Sequence, residues 1–248
     1  MRNTFNLQKI HPSWLPIVEK ALTKVDSHYI QDLAKNPNWL PGADNIFSAF
    51  SLPLNQTRYI LFGESPYPRP ESANGYAFWD ANVSDIWSDN GLAKPVNRAT
   101  SLRNIMKMLL VSQSLLDGDN TSQQAIAGVD KQHLVQTLDQ LFGHLLQQGF
   151  LLLNASLALL GGYKVNHHAK MWLGFMESIL TSLKESKPNI QLVLLGNIAK
   201  VIQKMPVAQN FQQIVAEHPY NISFINNPNI LNFFKSFDLL TLNVVSLD

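Results

Sequence analysis

The sequence predicts an α/β fold, a three-layer sandwich with a mainly parallel four-stranded central sheet. Three observations predict it. Four short runs are apolar throughout rather than alternating, as strands covered on both faces are. The segments between them carry apolar residues at helical spacing. Each run ends in a polar or tight-turn element, as strands do where they feed loops at the carboxyl edge of a parallel sheet.

A helical segment from Trp14 to Ala34 precedes the first strand, Tyr59–Phe62. Leu102, Ile105, Met106 and Leu109 then share one helical face, and so do Leu134, Leu138, Leu141 and Leu145. The second strand is Phe150–Leu153. Trp172, Phe175, Ile179 and Leu183 mark the apolar face of the next helix, and the last two strands are Leu192–Leu195 and Ile214–Ala216. The polar stretch Gly118–Gly128 reads as a loop joining two parts of one domain, so residues 1–248 are read as a single domain.

Composition narrows the function. Apolar residues are 46% of 248, enough for a sizeable core, and charged residues are 15%, too few for long disordered or coiled-coil regions. The absence of cysteine excludes disulfides, thiolate nucleophiles and thiolate metal sites. Met1 to Ile10 lacks the apolar run of a signal peptide, and no stretch approaches the roughly 18 apolar residues of a membrane span. A cytoplasmic protein with no membrane partner is therefore expected. The pair His167-His168 has no i,i+4 histidine and no cysteine beside it, so neither a metal nor an organic cofactor is expected. Net charge is only +1, so any grip on DNA has to be local.

The strand ends are the informative part. Gly63-Glu64-Ser65-Pro66-Tyr67-Pro68 follows the first, Asn154 the second, Gly196-Asn197 the third and His218-Pro219 the fourth. Ligands of open parallel sheets bind beyond the carboxyl ends of the strands, so these elements are expected on one rim.

These residues carry a family likeness. Gly63 to Pro68 resembles the GQDPYH motif of family-1 uracil-DNA glycosylases, GIDPYP in some viral members. Ala73-Asn74-Gly75-Tyr76-Ala77-Phe78 resembles AxGLAF, and Thr100-Ser101-Leu102-Arg103-Asn104-Ile105 resembles PSLxNI. Gln148 to Asn154 is close to QGVLLLN. His168-Ala169-Lys170-Met171-Trp172 with Phe175 resembles HAxxGWExF, one residue shorter. Leu194 to Ala199 resembles LLWGSxA, and His218-Pro219 sits where HPSPLS begins, with Phe234 at the spacing of a later HF pair. Upstream, Ile46 to Phe50 resembles VFNAF. The likeness runs from about residue 12 to 240, with its motifs in order.

The resemblance implies a uracil-DNA glycosylase-like fold and a DNA N-glycosylase. Such an enzyme flips uracil out of DNA and hydrolyses its N-glycosidic bond in base excision repair. It implies that Asn154 reads uracil N3–H and O4, that Phe78 stacks on the base, and that Tyr67 closes the pocket against the thymine methyl. His218 would donate to O2 as charge develops on the leaving base. Ser101, Asn197, Ile222 and Ser223 would meet DNA, with Ile222 as the wedge and Arg98, Arg103 and Lys164 adding charge. The partner implied is DNA containing uracil or a related lesion, met by a monomer that associates with the nucleoid when acting.

The chain also departs from the pattern. Ser65 stands where the family has its water-activating aspartate, and a serine carries no charge near neutral pH. Glu64 is the adjacent candidate for a replacement anion, as its Gly-Glu opening resembles the GEAPG of family-4 glycosylases. Asp80 and Glu71 read as solvated loop acids. Tyr220 and Asn221 replace Ser and Pro of HPSPLS, Asn226 replaces an Arg, and Asn197 replaces a phosphate-binding Ser. Weaker backbone binding and reduced or altered catalysis are therefore expected. The alternative is an inactive relative that binds DNA or protein.

Overall fold

The computed structural model describes residues 4–186 and 189–242. In chain order its elements are α1 (Leu15–Leu22), α2 (Ser27–Lys35), β1 (Tyr59–Gly63), β2 (Trp87–Ser88), β3 (Gly91–Leu92), α3 (Lys94–Arg98) and α4 (Thr100–Ser112). There follow α5 (Gln123–Ala127), α6 (Leu138–Gln147), β4 (Phe150–Asn154), α7 (Val165–Ser186), β5 (Gln191–Leu195), α8 (Asn197–Gln203), β6 (Gln212–Ala216) and α9 (Pro228–Phe234). The four apolar runs form one parallel sheet in the order β4-β1-β5-β6, as the sequence predicts. The short β2 and β3 pair antiparallel.

The chain forms two compact units, each built from two separated segments. The first is Met1–Asn82 with Gly149–Gln213, and the second is Val83–Gln148 with Ile214–Asp248. The whole of Gly118–Gly128 falls within the second unit. It is not all loop: α5 lies in it, capped by the Ser122 hydroxyl, which accepts the Ala125 N–H.

In the first unit β1 lies between β4 and β5, with Gly63 opposite Asn154 and Phe62 opposite Leu194. Its core gathers Trp14, Phe47, Phe50, Ile60, Phe62, Leu151, Leu153, Trp172, Phe175 and Leu192. The expected helix from Trp14 to Ala34 is two helices, α1 and α2. Asp26 separates them, because its carboxylate accepts the N–H groups of His28 and Tyr29 and so starts a new helix. In the second unit, Leu138, Leu141 and Leu145 are buried along α6, but Leu134 lies before the helix and bridges to Thr241. Thr137 and Gln140 form a reciprocal cap there, which fixes the helix start at Leu138, four residues after Leu134.

His168 ties α7 to the rest of the first unit. It is buried, its Nδ1 lies 2.7 Å from the Tyr29 hydroxyl, and its Nε2 lies 3.1 Å from the Leu160 carbonyl. Nε2 also lies 3.2 Å from the Leu160 N, so a neutral imidazole is accommodated in either tautomer, with the Tyr29 hydroxyl donating to Nδ1 or accepting from it. Burial pushes the Tyr29 phenol up to about 12. Burial also holds the His168 pKa below its ordinary value, against the raising effect of the Leu160 carbonyl. The folded pKa is thus below the unfolded one, so this contribution to stability is complete above about pH 6.5 and is lost as pH falls through that range. Denaturant titrations between pH 7.5 and 5 should show stability falling on acidification by up to about 1.4 kcal/mol per pH unit from this group. His168→Gln should be less stable at pH 7.5 and show a flatter pH dependence.

Candidate functional site

In the first unit the functional rim starts from the β1–β4 register. Beyond the strands the pairing continues: Ala155 N–H donates to Gly63 O at 2.9 Å, and Ser156 N–H donates to Glu64 O at 3.0 Å. The backbone of Glu64 is thereby fixed and Ser65 follows it, half-buried, while the Glu64 side chain is exposed. Asn154, at the end of β4, is 2% exposed, and its side chain crosses Gly63: a Cβ on Gly63 would lie 2.4 Å from Asn154 Oδ1 and 2.8 Å from the Ala77 Cβ. No described side chain engages the Asn154 carboxamide.

The loop after β1 is folded back onto β4, with Ala77 N–H donating to Leu152 O at 3.0 Å. Gly75 makes the turn possible. Its φ is +89° and any Cβ would strike the Asn45 carbonyl at 1.8 Å. Phe78, next but one to that turn's end, has φ +64°, a conformation that costs a bulky residue about 1–2 kcal/mol. The Tyr67 hydroxyl donates to the Phe78 carbonyl at 3.1 Å and so links the proposed methyl-excluding and stacking residues. Burial raises the Tyr67 pKa well above its ordinary value, with the Asp80 carboxylate adding to the effect and Arg69 opposing it. The phenol stays a donor at any physiological pH.

Asp80 corrects the expectation of a solvated acid. It is 1% exposed, with Arg69 Nη2 at 2.9 Å and the Asn82 N–H at 3.0 Å. The bridge between Ala73 and Asp80 draws it inward, and the guanidinium satisfies the buried charge. Glu71 is exposed, as expected. Asn197 opens α8 and is exposed, after Gly196 with φ +71°. Of the histidine pair, His168 has both ring nitrogens occupied by Tyr29 and Leu160. Among the described residues no three His, Cys, Asp or Glu side chains form a set able to hold a metal ion. Among the described residues no helix is long and apolar enough to cross a membrane.

The second unit holds Ser101, His218, Ile222 and Ser223. His218 comes two residues after β6, and its Nδ1 accepts the Tyr220 N–H at 3.0 Å. That bond places the proton of the neutral ring on Nε2. Ile222 is 79% exposed and Tyr220 67%, so both project from the loop. Ser223 has another role besides any DNA contact: its hydroxyl bonds the Glu217 carboxylate. Burial acts to raise the Glu217 pKa. Hydrogen bonds from Ser223, its own backbone N–H and Asn227 outweigh it and hold the carboxyl below its ordinary range. Ser101 lies half-buried in the first turn of α4. Arg103 is not simply a free cation, since it donates to the Asn97 carbonyl at 3.1 Å and to Asn104 Oδ1 at 3.4 Å.

Asn104 is the residue that sequence reasoning did not single out. It is 2% exposed, and its Nδ2 donates to Pro219 O at 2.7 Å, within 3.5 Å of Tyr220 O and 3.4 Å of Asn221 O. The helical pattern does not mark it: two residues from both Leu102 and Met106, it falls on the side of α4 opposite the face they share with Leu109.

No family model matches the chain. Comparison with known proteins nevertheless finds close relatives. A crystal structure of the wild-type UNG from Nitratifractor salsuginis is 40% identical, with a TM-score of 0.90 over 97% of this chain and 96% of that one. The uracil-DNA glycosylase of Corynebacterium glutamicum is 28% identical over 213 residues, covering 82% of this chain and 77% of that protein. The mimivirus uracil-DNA glycosylase, 17% identical with a TM-score of 0.58 over 87% of this chain and 72% of that one, shares the fold. With that likeness along nearly the whole chain, and with the family's motifs at the strand ends, the protein belongs to the uracil-DNA glycosylase superfamily.

Proposed function

We propose that this protein is a DNA N-glycosylase that recognises uracil in DNA and hydrolyses its N-glycosidic bond. The observation that carries the reading is the Asn154 carboxamide, buried, held across Gly63 and engaged by no other described side chain. One acceptor and two donors in such a place match N3–H and O4 of uracil and mismatch cytosine. Phe78 supplies the stacking ring and Tyr67 the wall against a C5 methyl. DNA containing uracil is the partner, and the enzyme acts as a cytoplasmic monomer that joins the nucleoid during repair.

In the reaction water attacks C1′, the C1′–N1 bond breaks, and the pair of electrons leaves on uracil. His218, with its neutral-ring proton on Nε2, is the donor for the developing anion at O2. The sugar side is the weak point, since Ser65 orients water without offering negative charge. Glu64 is exposed and is the carboxylate next in the chain.

Asn154→Asp should weaken binding of free uracil at least about 10-fold and relax discrimination against cytosine, measured by titration and by excision from paired substrates. Gly63→Ala should do the same with residue 154 still an asparagine, because the new methyl displaces its side chain. Ser65→Asp should raise uracil excision by a factor on the order of 10². An assay on uracil-containing oligonucleotides with abasic-site cleavage as readout compares it with wild type and with Glu64→Gln. Loss of activity in Glu64→Gln alone assigns the anion's role to Glu64. A fast wild type indifferent to both changes contradicts this account of the sugar charge.

A further inference from the structure

We propose that Asn104 is the positioning residue of the loop that carries His218 and Ile222, with Arg103 setting the direction of its carboxamide. The inference rests on the reading that His218 serves the leaving base, and it deepens that reading.

The loop from Glu217 to Asn227 contains little regular structure of its own beyond a 3-10 turn at Ile222–Asn226. Its consecutive carbonyls at Pro219, Tyr220 and Asn221 all point at one group, Asn104 Nδ2. Three successive carbonyls cannot converge on a donor unless the chain curls around it, so the donor defines the curl. Asn104 sits on α4, a thirteen-residue helix whose apolar face is buried through Leu102, Met106, Leu109 and Leu110. The anchor is therefore rigid where the loop is not.

Orientation matters as well. An amide turned by 180° would aim its oxygen at the three carbonyls, which is repulsive. Arg103 Nε approaches Asn104 Oδ1 at 3.4 Å, and an oxygen there suits the guanidinium while a nitrogen does not. Arg103 is itself held by the Asn97 carbonyl. The order of control thus runs from Asn97 through Arg103 and Asn104 to the loop backbone. From there it reaches the ring, because the Pro219 carbonyl that Asn104 holds and the Tyr220 N–H that His218 Nδ1 accepts belong to one peptide group. The same curl leaves Tyr220 and Ile222 pointing outward. At the far side Glu217 is joined to Ser223 and Asn227, which closes the base of the loop. Asn104 fixes its middle.

The test uses the full chain with 15N-labelled histidine, and His218→Gln serves to assign the His218 signals. Wild type should show His218 as the Nε2–H tautomer. Asn104→Leu should move those signals toward a tautomer mixture and lower kcat for uracil excision about 10- to 100-fold. Affinity for free uracil should stay within about 2-fold of wild type, since the base readers Asn154 and Phe78 are untouched. Asn104→Asp, which keeps the size but turns a second acceptor on the carbonyls, should behave like Asn104→Leu. Unchanged His218 signals in a folded Asn104→Leu protein overturn the proposal, whatever its melting temperature does. So does a fall in activity accounted for by the unfolded fraction alone. Should wild type excise no uracil, the functional reading fails, but the tautomer measurement still decides whether Asn104 governs the ring.

Discussion

The passage of the Asn154 side chain across Gly63 is the constraint on which the rest of the first unit's rim depends. Two parallel strands in register bring these residues opposite each other. A side chain of any kind at position 63 would occupy the space that the carboxamide and Ala77 fill. Ala77 in turn is bonded to β4 through Leu152, so the loop bearing Phe78 is set by the same crossing. One hydrogen atom in place of a methyl thus decides where Asn154, Phe78 and the loop after β1 stand. The left-handed backbone of Phe78 is tolerated because Tyr67 and the folded loop hold it on both sides.

The second unit solves a different problem. Its candidate residues His218 and Ile222 lie on a loop, and a loop has to be made stiff by what it touches. Paired polar groups do this: a buried amide on α4 for the carbonyls, and a half-buried carboxylate at position 217 for the hydroxyl and amide at 223 and 227. Each is costly to leave unpaired, and each finds its partners across more than one turn of chain. That makes the loop's shape all-or-none rather than graded. It also gives Ser223 an internal partner, so the resemblance that assigns it to DNA describes only part of its surroundings.

Much of this was legible in the sequence because the signals were local. Apolar runs gave the strands within one or two residues. Helix breaks were less legible where a single capping side chain decides the boundary, as Asp26 and Thr137 do. Leu134 has the period of the α6 face and is buried, yet it belongs to a different partner, Thr241. Asp80 and Asn104 were illegible for a related reason. An acid in a Pro-rich loop and an Asn in a helix look solvated until the distant group that pairs with them is known, and Arg69 and the 219–221 carbonyls are recognised only once the chain is folded.

The order of the strands has a consequence for synthesis on the ribosome. The central strand β1 is the first to be made, and its two neighbours, β4 and β5, are the strands that begin at Phe150 and Gln191. Ile60, Leu61 and Phe62 therefore leave the exit tunnel with both hydrogen-bonding edges open and wait for about ninety further residues before the first partner arrives. At roughly 5–20 residues per second this is a delay of about 5–20 s, long against the microsecond collapse of a short chain. During it the nascent protein presents an apolar strand with nothing to pair, which is the kind of segment a ribosome-associated chaperone binds. The length of the insertion between β1 and β4 thus sets the time for which the growing chain needs protection.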